Sequence, residues 1–239
     1  LSIAETLYES SPLEAIEIST EAKSLAARLN YAKGEARALK YIGLVNYFQG
    51  NYVQAIRNWE KALIQFQQEG DKEGETMILS NIGTIYNWQN DDSKALEFYL
   101  NSLEIATKIQ DSLLIISALN NIGLIYAKKL ATESLALENY SKALALSEVT
   151  GFQRGIGSAS SNIGEIYFNR GEYTMAQEYF ERSMVTHLET KSINITSTYI
   201  YLGKIFSKRK QFDRAIQYQQ ESYDIAQKAG AKREMLLSL

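Results

Sequence analysis

The sequence predicts an all-α fold built as an array of helix hairpins, and three observations carry that expectation. A short phrase recurs: KYIGLVNY, SNIGTIYN, NNIGLIYA, SNIGEIYF and IYLGKIFS align on Gly43, Gly83, Gly123, Gly164 and Gly203, spaced 40, 40, 41 and 39 residues apart. Self-similarity at a fixed period of this size marks a repeat architecture. A single proline in 239 residues suits a chain in which helix follows helix. Apolar residues recur at helical spacing, as in Leu96, Tyr99, Leu103 and Ala106, and no alternating strand pattern is present.

The elements follow in order. A second anchor, an alanine, accompanies each glycine: Ala55, Ala95, Ala136, Ala176 and Ala215, with Ala15 as an earlier copy. The distances between anchors place a one-residue insertion near Lys129–Ala131 and a one-residue deletion between Ala176 and Gly203. Turns tolerate such changes and packed helices do not. Each unit holds two helical segments, for example 72–89 and 92–108. SPLE at 11–14 offers Ser11 as N-cap, Pro12 at the first helical position and Glu14 as reciprocal partner, and Asn51 with Gln54 repeats the arrangement. EGD at 69–71, TG at 150–151 and AGA at 229–231 are the breakers between units. The expected division of a single array over 1–239 is 1–30, with its first helix truncated, then 31–70, 71–110, 111–151, 152–190 and 191–230. Residues 231–239 start a further helix.

Composition narrows the function classes. A net charge of −3 argues against a nucleic-acid surface, which would show a basic stripe. The absence of cysteine excludes disulfides and thiolate metal sites. The longest apolar run, LLII at 113–116, is far too short for a membrane span, so direct membrane insertion is not expected. The compartment stays open between cytoplasm and periplasm, with attachment to a membrane-anchored protein also compatible. A start at Leu1 without methionine and an end in AKREMLLSL predict a segment excised from a longer protein.

A small glycine, an aromatic three residues on, an alanine, an aromatic four later and another small residue resemble the tetratricopeptide repeat (TPR). Here that pattern reads Gly83–Tyr86–Ala95–Tyr99–Ser102, Gly123–Tyr126–Ala136–Tyr140–Ala143 and Gly164–Tyr167–Ala176–Phe180–Ser183. Gly43–Ala55–Trp59–Ala62 departs at Asn46, Gly203–Phe206–Ala215–Ser222 departs at Gln219, and Ala15–Ala22 is a half-matched first unit. The period near 40 exceeds the usual 34, a longer form familiar in bacterial regulatory arrays and kinesin-light-chain-like proteins. The resemblance implies a right-handed α-solenoid superhelix of antiparallel hairpins. It also implies a concave groove lined by the first helix of each hairpin.

Glycine inside a helix costs about 1 kcal/mol relative to alanine, so Gly123 is expected to face a neighbouring helix closely enough for packing to offset that cost. Asn121, two residues earlier, points to nearly the opposite side. Helical spacing from that place gives the expected groove stripes. They are Arg37, Tyr41, Leu44 and Phe48; Met77, Asn81, Thr84 and Trp88; Asn121, Leu124 and Lys128 with Ser117; Asn162, Glu165 and Asn169 with Ser158; and Tyr201, Lys204 and Lys208 with Ser197. Asparagine holds one place in three consecutive units. Its amide both donates and accepts, and in related TPR proteins such residues pair with a peptide backbone. Solvation of the groove, or a bond to an adjacent helix, is the plainer reading.

Catalytic signals are weak. His187 is the lone histidine, and HLET lacks the second histidine of a metalloprotease helix, so a seam or surface role is expected. GIGS at 155–158 follows no strand and lacks the lysine of a phosphate loop, while NYS and NIT are sequons by pattern alone. No catalytic residue, cofactor or metal is expected in this segment. The leading expectation is a scaffold that binds a protein or peptide partner in its groove. Unit length and phrases such as ALNNIGLIY and NYSKALALSE further resemble arrays upstream of histidine-kinase or adenylate/guanylate-cyclase output domains in bacterial signalling proteins. A dimerising or spacing array, with a possible homodimer, is the alternative, and a small-molecule sensor ranks last.

Overall fold

The computed structural model describes residues 11–228, all helix and turn with no strand among them. Eleven α-helices follow one another among the described residues: α1 (Pro12–Arg28), α2 (Ala32–Phe48), α3 (Tyr52–Gln68), α4 (Lys72–Trp88), α5 (Asp92–Lys108), α6 (Ser112–Ala127), α7 (Glu133–Thr150), α8 (Gln153–Asn169), α9 (Tyr173–Glu189), α10 (Ile195–Lys208) and α11 (Phe212–Lys228). Successive helices pair as antiparallel hairpins, the fold class expected. The chain divides into two compact units, Leu1–Leu114 and Ile115–Leu239. The breaker at 229–231 and the further helix at 231–239 lie outside the described residues.

Turn chemistry explains the regular punctuation. Gly50, Gly70, Gly151 and Gly171 adopt left-handed backbone angles, and Asn30, Asn90, Gln110, Lys191 and Lys210 do the same without being glycine. After the helices α1–α5 and α7–α10 two amides fold back on the last carbonyls, as when Gly50 donates to Tyr47 and Asn51 to Asn46. That closure satisfies carbonyls the helix cannot. The link with the insertion is built differently: a 3-10 turn spans Leu130–Thr132 and the Thr132 hydroxyl donates to the Tyr126 carbonyl at 2.7 Å.

The caps correct the sequence reading at two places. Ser11 and Asn51 stand at N-cap positions, but neither side chain caps its helix; the Asn51 amide donates to Gln49 Oε1 instead. Aspartates cap in their stead: Asp71 accepts from the Gly74 amide at 3.0 Å, Asp91 from Lys94 at 3.2 Å, and Asp111 from Leu113 and Leu114 at 3.0 and 3.1 Å.

Within each unit the core is the seam between the helices of a hairpin. In the first unit the ring of Trp59 lies against Gly43, where a β-carbon would collide with it, and Trp59 Nε1 donates to the Lys40 carbonyl at 3.0 Å. Tyr99 lies 2.8 Å from where a Gly83 β-carbon would stand. In the second unit Tyr140 meets Gly123 and Phe180 meets Gly164 in the same way. The alanine anchors Ala55, Ala95, Ala136 and Ala176 are fully buried. Close backbone approach, filled by one aromatic ring, offsets the helix cost of each glycine. GIGS at 155–158 is also packing: Gly155 lies against Ser147 and Phe152, and Gly157 against Thr186 and His187.

A second aromatic layer accompanies the first. Tyr86 stacks on Phe98 at 5.5 Å, Tyr167 on Tyr179 at 5.6 Å and Phe206 on Tyr218 at 5.5 Å. Each pair joins the residue three after the glycine to the one just before the seam position, which a ring fills at Tyr99 and Phe180 and Gln219 occupies in α11.

Candidate functional site: the first-helix faces

In the first unit α2 and α4 carry the candidate stripes. Arg37, Phe48 and Trp88 are exposed, Leu44, Met77, Asn81 and Thr84 are half-buried, and Tyr41 is buried at 7% exposure, so it presents little surface. Lys40 stands 4.5 Å over the Tyr41 ring and reaches Met77 Sδ at 3.9 Å. Thr84 is drawn toward the seam, its hydroxyl donating to the Ser80 carbonyl and accepting from Tyr99 at 3.2 Å. Asn81 makes no hydrogen bond with any described residue, leaving its amide open.

An aromatic corner closes this face. Trp88 Nε1 donates to the Tyr47 hydroxyl at 2.8 Å, and Tyr47 meets Phe48 edge-on at 5.3 Å. Burial pushes the Tyr47 hydroxyl above its ordinary pKa against the opposing bond from Trp88, so it stays protonated. Sequence reasoning found Phe48 and Trp88 but missed Tyr47, which lies one residue off the stripe.

In the second unit the faces belong to α6, α8 and α10. Leu124, Lys128, Glu165, Asn169, Lys204 and Lys208 are exposed, and Asn121, Asn162 and Tyr201 are half-buried. Asn121 has no hydrogen-bond partner among the described residues. Asn162 does: its amide donates to Asn120 Oδ1 at 3.4 Å, while Asn120 donates to the Ile116 carbonyl at 3.0 Å. Asn120, unassigned by spacing, thus ties α6 to α8. Of the three equivalent asparagines, Asn81 and Asn121 offer open amides and Asn162 is spent on a neighbouring helix.

Tyr201 takes the asparagine's place on α10, and its ring is packed rather than presented. It stacks on Phe180 at 4.9 Å and meets Phe168 edge-on at 5.3 Å. Burial, with the Glu165 carboxylate that accepts from its hydroxyl, pushes its pKa well above the ordinary tyrosine value. Lys204 Nζ sits 5.0 Å over the same ring. The faces offer hydrogen-bonding amides, apolar surface and charged side chains.

His187 is a seam residue, 2% exposed, its ring against Gly157. Burial lowers its pKa, so the imidazole is neutral at physiological pH. No group of three metal-ligating side chains is found among the described residues, and no described helix is long and apolar enough to cross a membrane.

Comparison with known proteins finds similarity in both sequence and fold. The tetratricopeptide-repeat family model matches residues 34–108, 75–149 and 155–228. The photosystem I assembly protein Ycf3 of Acaryochloris marina is 31% identical over 133 residues, 54% of this chain and 74% of that protein. For Ycf3 of Rippkaea orientalis the identity is 36% over 84 residues, covering 35% and 43%. Among solved structures, BtubC of P. vanneervenii superposes with a TM-score of 0.74 at 19% identity over 92% of this chain and 93% of that one. NprR in complex with its cognate peptide NprX gives 0.71 at 20% identity, over 98% and 70%.

Proposed function

The chain belongs to the tetratricopeptide-repeat family, and from that premise we propose that the first-helix faces of this scaffold bind a protein or peptide partner in extended form. The observation that carries the reading is the pair of open, half-buried amides at Asn81 and Asn121, each beside exposed apolar surface at Trp88 and Leu124. An amide held in place by its helix can pair with a peptide backbone whatever the peptide's side chains. Relatives support the same direction: one similar protein is named for assembling photosystem I and one similar structure holds its cognate peptide. In the first unit Arg37, Leu44, Phe48, Met77 and Thr84 then set the specificity of its face, with aromatics from α2 and α4; in the second, Lys128, Glu165, Asn169, Lys204 and Lys208 do so, with cations from α10. No step of catalysis belongs to this role.

A random-peptide library panned on the purified chain tests the proposal. Selected peptides should lose at least about tenfold in affinity against Asn81→Ala with Asn121→Ala, while the urea midpoint is unchanged. Binding that survives the double substitution, or a large stability loss with binding intact, overturns it.

The finer reading is a single array over 1–239 acting as the sensory or regulatory segment of a larger bacterial signalling protein of histidine-kinase or cyclase type. It rests on the unit length and phrasing of the repeats. The full coding sequence decides it: an output domain in the same reading frame supports it, and a reading frame without one overturns it.

A further inference from the structure

We propose that the sixth hairpin carries a pocket for a small amphipathic carboxylate, a site separate from the first-helix faces and independent of the peptide-binding reading. The argument begins with a missing turn. Helices α2, α4, α6 and α8 each begin eleven residues before their repeat glycine, whereas α10 begins at Ile195, eight residues before Gly203. In α4 that first turn brings Gly74 so near the Phe66 ring that a β-carbon there would stand 2.5 Å from it, and in α8 it brings Gly155 against Ser147. Before α10 the chain instead runs through an irregular segment. There Lys191 is left-handed, the Ser192 amide bonds the His187 carbonyl at 2.9 Å, and the Asn194 amide bonds Ser192 Oγ at 3.3 Å.

At this place lies a cavity of about 460 Å³, within the range of small-molecule sites. Its walls are apolar: Leu188 from the end of α9, Ile193 from the irregular segment, Ile195 from α10 and Ile225 from α11. Leu188 and Ile193 are 53% and 40% exposed, so the apolar lining reaches solvent. Two cations complete the lining, Lys191 and Lys228, and neither forms an ion pair with a described residue. Among the described residues no acidic side chain lines the cavity. Unopposed ammonium groups beside an apolar cavity attract an anion more strongly than they would in open water.

The polar interior matches that chemistry. His187 lines the cavity, and neither of its ring nitrogens has a hydrogen-bond partner among the described residues; Nδ1 is wholly buried on the side that faces Gly157 of α8. A neutral imidazole has one donor and one acceptor to satisfy, and an unsatisfied buried polar group is costly. A ligand with an apolar chain and a carboxylate would fill the walls and pair with the lysines. Its head group would bring hydrogen-bonding capacity beside the imidazole.

Decanoate, kept below its micelle concentration, is the probe, and His187 is the reporter because it is the chain's single histidine. Titration should shift the His187 ring resonances saturably, with 1-decanol binding at least about tenfold more weakly. Lys191→Gln with Lys228→Gln should bring decanoate down to the affinity of decanol, and these exposed substitutions leave the fold intact. Ile225→Trp should fill the cavity and abolish both shifts, with its fold checked by circular dichroism. The proposal is overturned if decanoate gives no saturable shift, if decanol binds as well as decanoate, or if the double lysine variant binds decanoate as the natural chain does.

Discussion

In the hairpin α4–α5 the ring of Tyr99 lies over Gly83, whereas in α10–α11 the equivalent residue is Gln219 and Gly203 meets the backbone carbonyl of Ala215. The first hairpin starts on a capping aspartate, Asp71, and has a full-length first helix; the other starts at Asn194 without a side-chain cap and is a turn short. Yet both keep the second aromatic layer, Tyr86 on Phe98 and Phe206 on Tyr218, with ring centroids 5.5 Å apart in each. The two layers are therefore separable. The stacked pair is enough to close the seam, and the hairpin that gives up the other ring and the first turn is where a cavity opens.

Removing the ring tests that separation with the largest effect. Tyr99 is 1% exposed, so Tyr99→Ala should cost about 3–5 kcal/mol, as large aromatic truncations do. Gln219→Ala, at the same repeat position, should stay within about 0.5 kcal/mol. Urea midpoints of the two variants measure the contrast, and equal losses would show that Gln219 supports the seam as Tyr99 does.

Adding a methyl group probes the same seam from the other side. At Gly83 a β-carbon would stand 2.8 Å from the Tyr99 ring, which is held on all sides. Overpacking of about 1–3 kcal/mol then meets a gain of about 1 kcal/mol in helix propensity, and Gly83→Ala should destabilise by up to about 2 kcal/mol. At Gly203 the nearest atoms are 3.2 and 3.3 Å away. There the two terms nearly cancel, and thermal unfolding of Gly203→Ala should match the natural chain.

The sequence made the seam legible because packing repeats it. A ring must meet each glycine, so glycine, alanine and ring recur at fixed distances, and the helices over 72–88 and 92–108 fall where spacing predicts. The faces were legible as stripes but not as contacts. Asn81, Asn121 and Asn162 look alike in sequence, and only the position of Asn120 across from Asn162 sets the third apart. Capping failed at Ser11 and Asn51 because a competent side chain can find another partner, as Asn51 does in Gln49. The deletion between Ala176 and Gly203 was visible as a number. That it removes a whole helical turn before Ile195 was not, since one residue lost can rearrange several.

Capping gives the comparison a pH signature. Burial pushes the Asp71 carboxyl up, but the bond to Lys33 at 2.8 Å, the Gly74 amide and the nearby Arg37 outweigh it and hold the carboxyl below its ordinary range. A carboxyl depressed in the folded state adds stability that is present above its unfolded pKa and is lost as pH falls through the folded value. Asp71→Asn keeps a capping oxygen and removes the charge paired with Lys33, so it should cost at most about 1 kcal/mol at neutral pH, the worth of a partly exposed ion pair. It should also flatten part of the decline in stability below the ordinary carboxylate range. An unchanged acid limb would place that decline elsewhere.

The smallest effect distinguishes the far ends of the two first helices. Five residues after its glycine, α4 carries Trp88 and α10 carries Lys208. Trp88 is 53% exposed, an unusual place for an indole, and the Tyr47 hydroxyl accepts its Nε1–H at 2.8 Å. That bond fixes the ring over the α2–α4 face, where a partner would meet an ordered aromatic corner rather than a flexible side chain. Tyr47→Phe keeps the ring contact with Phe48 and removes only the acceptor. It should cost about 0.5–1 kcal/mol, the net value of one hydrogen bond in a partly solvated setting. The fluorescence that iodide can quench should become more accessible, because Trp59, the other indole, is buried at 1% exposure and does not contribute. Peptides that select for the aromatic corner should weaken in step, since ordering Trp88 then falls to the binding event. If quenching and affinity are both unchanged, the hydroxyl does not hold the indole, and the α2–α4 face owes its order to packing alone.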